Sequence, residues 1–113
     1  TEYFNLIKKY YGDVFTYDED IKYEWSRVPH FYYNYYVYQY ATGYSAAQAL
    51  SKLILEDSKN AKVYIDEFLS KGCSNYPIEV LKNAGVDMSK PEPIELALQD
   101  FEAKIEKFEK LYF

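Results

Sequence analysis

Pro93-Ile94-Glu95-Leu96-Ala97-Leu98-Gln99-Asp100-Phe101-Glu102-Ala103-Lys104-Ile105-Glu106-Lys107-Phe108-Glu109-Lys110-Leu111-Tyr112 is the stretch that settles the architecture. Ile94, Leu98, Phe101, Ile105, Phe108 and Tyr112 recur at steps of 4, 3, 4, 3 and 4. That spacing draws one apolar stripe along a helix, with glutamates and lysines between. Upstream, Pro91 and Pro93 separate this helix from another that has Pro77 in its first turn, Ile78, Val80 and Leu81 as its apolar side, and Gly85 at its end. Ser74 or Asn75 is expected to cap it. Before that, Asp57, Ser58 and Asn60 offer capping oxygens to a helix running to about Lys71, with Val63, Tyr64, Phe68 and Leu69 inward and Gly72 as terminator.

The middle of the chain, roughly Phe31 to Glu56, contains no proline and reads as one long helix. Gly43 sits there in a patch of small residues, Ala41-Thr42-Gly43 and Ser45-Ala46-Ala47, suited to close approach by another backbone. Pro29 disfavours helical geometry at Val28, so a bend precedes His30. Ile21 to Val28 reads as a short helix, and Thr1 to Tyr11 as a first helix that Gly12 ends. No segment alternates with period two. The fold class is all-α, with about five to six helices.

The 113 residues fit one domain or a piece of a larger one. A net charge of −5 and the lack of a Lys/Arg cluster exclude a nucleic-acid footprint, which needs a basic stripe. No run approaches the roughly 20 apolar residues of a membrane span, and no signal-peptide pattern is present. Cys73, the single cysteine, suits a post-helix turn in a reducing, cytoplasmic setting.

Aromatic residues reach 20%, and seven of the fifteen tyrosines fall between residues 32 and 44, opened by the chain's one histidine, His30. On a helix, Phe31, Tyr35 and Tyr38 share one face and Tyr32, Tyr36 and Tyr40 another. Burying both faces would strand hydroxyls at about 1–3 kcal/mol each, so one is expected to look into a polar cleft. Tyrosine and histidine can donate hydrogen bonds to an oxygen that gains negative charge as a carbonyl becomes tetrahedral. The same composition suits an interface or a partly wet core. The residues hold no serine–histidine–acid arrangement, no H-E-x-x-H and no Cys/His cluster, and one histidine cannot build a zinc site that needs two.

The run Tyr23-Glu24-Trp25-Ser26-Arg27-Val28-Pro29-His30-Phe31-Tyr32-Tyr33, continued by Tyr35-Tyr36-Val37-Tyr38-Gln39-Tyr40-Ala41-Thr42-Gly43, resembles the C-terminal signature of oligoendopeptidase F, a thimet-oligopeptidase-like zinc metallopeptidase family. Tyr10-Tyr11-Gly12, Phe68-Leu69-Ser70-Lys71-Gly72, Tyr76-Pro77-Ile78-Glu79-Val80-Leu81 and Ala84-Gly85-Val86-Asp87-Met88 extend the resemblance over the whole chain. It implies that residues 1–113 are the C-terminal part of a larger all-α catalytic domain with a channel for short peptides. It also implies zinc held by H-E-x-x-H and a later glutamate, all N-terminal to Thr1, so that this part binds no metal and is inactive alone.

By the same resemblance His30 supports a substrate carbonyl or the oxyanion, and Tyr38 stabilises the tetrahedral intermediate. Tyr35 and Tyr32 contact substrate. The implied partners are short peptides and the missing N-terminal part of the same protein. Without that part, a large aromatic patch around Tyr35 to Tyr44 or self-association is expected. The alternative is an independent helical interaction module with an aromatic binding surface.

Overall fold

A computed structural model describes residues 1–113 and contains helices and turns but no strand. Five α-helices are formed: α1 (Glu2–Tyr11), α2 (Tyr38–Glu56), α3 (Lys59–Glu67), α4 (Pro77–Asn83) and α5 (Glu92–Tyr112). Short 3-10 helices cover Gly12–Val14, Glu19–Arg27, Pro29–Tyr32 and Leu69–Lys71. The chain divides into two compact units, Thr1–Tyr38 and Gln39–Phe113. No helix is long and apolar enough to cross a membrane.

In the first unit, the Thr1 hydroxyl accepts from the Phe4 amide at 3.4 Å to begin α1, and Gly12, at φ 66°, ends it. The Asp18 carboxylate accepts from the Asp20 amide at 2.9 Å and opens the 3-10 helix Glu19–Arg27, where the sequence suggests a short helix. Val28 is extended (φ −92°, ψ 104°), as its place before Pro29 demands.

In the second unit, Ala46, Ala49 and Leu50 of α2 form a buried cluster with Ala84 and Val86, against which Leu53, Tyr64, Phe68, Leu81 and Met88 pack. Buried Ser45 is satisfied within its own helix, donating to the Ala41 carbonyl at 2.9 Å. The Asn60 amide donates to the Leu53 carbonyl at 2.8 Å and so ties the start of α3 to the open end of α2. The end of α4 is a Schellman turn: the Gly85 amide bonds the Lys82 carbonyl at 3.0 Å and the Val86 amide bonds the Leu81 carbonyl at 2.9 Å. Past it, Ser89 donates to the Asp87 carboxylate through its hydroxyl (2.6 Å) and its amide (3.1 Å), which with Lys82 at 3.3 Å lowers the Asp87 pKa.

Gly85 takes φ 101°, and an added Cβ would lie 3.3 Å from Leu53 Cδ1. Gly85→Ala is therefore expected to destabilise this unit by about 1–2 kcal/mol, chiefly through backbone strain. A urea midpoint equal to that of the parent would contradict this.

Four expectations from sequence are corrected. The long helix does not begin at Phe31: Pro29–Tyr32 is 3-10, residues 33–37 turn, Tyr35 sits at φ 55°, and α2 starts only at Tyr38. Tyrosine, valine and asparagine are middling helix formers, and asparagine competes for local backbone bonds, so absence of proline is a weak argument for helix here. The two tyrosine faces therefore do not exist as drawn. Neither Ser74 nor Asn75 caps α4; Tyr76 holds the cap position without a side-chain bond, and Asn75 accepts from the Tyr76 amide at 2.8 Å. Val63 and Leu69, expected inward, are exposed; Ile78 and the whole α5 stripe from Ile94 to Tyr112 are exposed as well, and within α5 only Pro93 and Ala97 are buried.

Candidate functional site

Residues 23–38 of the first unit carry the candidate site. Glu24 accepts from Arg27, and Ser26 Oγ donates to the Tyr23 carbonyl at 2.7 Å, which fixes the 3-10 turn leading to Pro29. The Glu24 carboxylate raises the Arg27 pKa by that hydrogen bond and by its charge. The Tyr33 amide bonds back to the His30 carbonyl at 3.3 Å and closes the turn that holds His30.

All four side chains proposed from sequence lie at the surface. His30 is exposed, as are Tyr32 (62%), Tyr35 (85%) and Tyr38 (58%). Tyr32 donates its hydroxyl to the Ser26 carbonyl at 2.9 Å and tilts against Trp25 at 6.3 Å, so its ring is held and its oxygen keeps only acceptor capacity. Tyr35 stands at the turn with left-handed backbone, and Tyr38 is the first residue of α2.

The ring stacked on His30 is Tyr36, with centroids 5.7 Å apart and planes 25° from parallel. Tyr33 meets Tyr36 edge-on at 5.9 Å and 70°. Sequence reasoning missed this pair. Residues 30 and 36 are not neighbours on a helix, and only the turn through Tyr35 brings them together. An apolar groove of about 550 Å³ lies in the same unit, lined by Tyr3, Ile7 and Tyr10 of α1 together with Trp25 and Phe31.

The chain assembles no group of three or more His, Cys, Asp or Glu side chains that could hold a metal ion. What residues 30–38 can offer is an imidazole and several phenols, hydrogen-bond donors and acceptors for a carbonyl or an oxyanion.

Comparison with known proteins gives this surface a context. The model of peptidase family M3 matches residues 1–100. The chain belongs to peptidase family M3. Among its relatives, this M3 chain is 61% identical over 109 residues to oligopeptidase PepF of Bacillus subtilis (strain 168), covering 96% of the chain and 16% of that protein. It is 40% identical to the plasmid oligoendopeptidase F of Lactococcus lactis subsp. cremoris, covering 98% of the chain and 19% of that protein. A crystal structure from Chlamydophila abortus, described as a peptidase, superposes with a TM-score of 0.79 at 45% identity, over 96% of this chain and 18% of that one. The M3 chain thus spans less than a fifth of the length of each of these relatives. The all-α architecture and the likeness to oligoendopeptidase F agree with the sequence reading.

Proposed function

We propose that residues 1–113 are the C-terminal part of the catalytic domain of a cytoplasmic zinc metallo-oligopeptidase that hydrolyses short peptides. The observation that carries this reading is the match to peptidase family M3 over residues 1–100. In it, His30 and Tyr38 are catalytic donors: His30 supports the scissile carbonyl or the oxyanion, and the Tyr38 hydroxyl bonds the oxygen as it becomes negative. Tyr35 and Tyr32 contact substrate, Tyr35 with ring and hydroxyl, Tyr32 with its ring face and its acceptor oxygen.

Zinc belongs to the complete enzyme and is held by residues other than these. The rest of the polypeptide covers the exposed stripe of α5 and, separately, the exposed rings from Tyr35 to Tyr44. Open space around Gly43 suits the close approach of a neighbouring backbone. The free thiol of Cys73 is compatible with a reducing compartment.

The isolated chain, mixed with a fluorogenic peptide and zinc, is expected to cleave nothing and to self-associate, while the complete protein cleaves the same peptide. Cleavage by the isolated chain, or a monomer that binds a protein partner while the complete protein lacks peptidase activity, would overturn the reading in favour of an independent interaction module.

A further inference from the structure

We infer that Tyr36 is a positioning residue for His30, an inference that rests on the reading of His30 given above. An exposed imidazole on a short turn rotates about two side-chain bonds, and its N–H bonds lie in the ring plane. A donor that must meet an oxygen at 2.7–3.1 Å loses most of its effect when that plane swings.

Tyr36 supplies a restraint on that rotation. Its ring lies nearly parallel to His30, 25° off, at a centroid distance of 5.7 Å, which fixes the plane in which the imidazole can donate. Tyr33 also braces Tyr36, edge to face at 5.9 Å. Tyr36 is also less exposed than its neighbour, at 38% against 85% for Tyr35. The two adjacent phenols thus divide the work: Tyr35 is presented outward, and Tyr36 is turned onto the histidine. The left-handed backbone of Tyr35 lies at the point in the chain where this division is made. The restraint is supplied by the ring face of Tyr36, and that separates it from the donor role of Tyr38.

The test uses the full-length enzyme. Tyr36→Leu is expected to lower kcat about three- to tenfold with KM within about twofold, and Tyr36→Phe, which keeps the ring, to hold kcat within about twofold of the parent. In NMR spectra the carbon-bound ring protons of His30, identified by their loss in His30→Ala, are expected to lie upfield under the Tyr36 ring. They are expected to move downfield in Tyr36→Leu and to stay in Tyr36→Phe. A Tyr36→Leu enzyme with full kcat beside an impaired His30→Ala enzyme, or His30 signals that do not move, overturns the positioning role alone. An unimpaired His30→Ala enzyme overturns the site reading and leaves Tyr36 nothing to position. Should Tyr36→Leu fail to fold, Tyr33→Leu removes only the bracing edge and is expected to lower kcat about two- to threefold with the same signals shifted; unchanged kcat with unmoved signals in that variant overturns the role as well.

Discussion

Tyr38→Phe in the complete enzyme is expected to lower kcat by about 10²–10³ while leaving KM and zinc content nearly unchanged. The substitution removes one oxygen and keeps the ring, so the packing around the start of α2 is retained. Tyr38 is 58% exposed, so the change leaves no cavity in a core. On the proposed reading, what disappears is a donor aimed at an oxygen whose charge develops only on the way to the tetrahedral species. Ground-state binding is spared and the barrier rises, which places the loss in kcat. Steady-state kinetics with a fluorogenic peptide, together with metal analysis, provide the measurement. Turnover equal to that of the parent would remove Tyr38 from the mechanism, and a proportionate rise in KM at constant kcat would make it a binding residue instead.

The second large effect is on stability. Leu50→Ala is expected to destabilise the Gln39–Phe113 unit by about 2–5 kcal/mol, roughly a 30-fold to several-thousand-fold change in its folding equilibrium. Leu50 is 7% exposed and is the largest side chain in a buried cluster otherwise made of Ala46, Ala49, Ala84 and Val86. The other members of the cluster are too small to fill the space that a missing isobutyl group leaves, so a cavity cost adds to the transfer cost wherever the larger residues packed around it hold their places. Urea unfolding with an unchanged slope and a lowered midpoint is the expected signature. A loss below about 1 kcal/mol would mean that Leu53 or Met88 swings in to fill the gap.

Helix signals that depend on local chemistry were legible in the sequence. Gly12 and Gly72 both stand at helix ends with positive φ, Pro77 occupies the first turn of α4, and Pro29 imposes the bend at Val28. The α5 periodicity names its helix correctly, yet every residue of the stripe is exposed, because periodicity reports a face and says nothing about what lies against it. The region 31–37 was misread for a related reason. Helix was inferred there from the lack of a breaker, while six middling helix formers and an asparagine left the backbone free to turn. The candidate site was legible as composition: His30, Tyr32, Tyr35 and Tyr38 follow from residue type and from resemblance to a family. The stack of Tyr36 on His30 was not, since it is made by a turn whose geometry no spacing rule encodes.

That turn has a consequence for engineering the protein. At residue 35 a bulky side chain holds a backbone conformation that glycine or asparagine would adopt more easily, by about 1–2 kcal/mol for glycine. A screen for heat resistance therefore pulls this position away from tyrosine and toward the smaller residues. Firmness of the loop and an outward-facing phenol are in opposition at a single codon, and variants gathered for the first quality will arrive without the second.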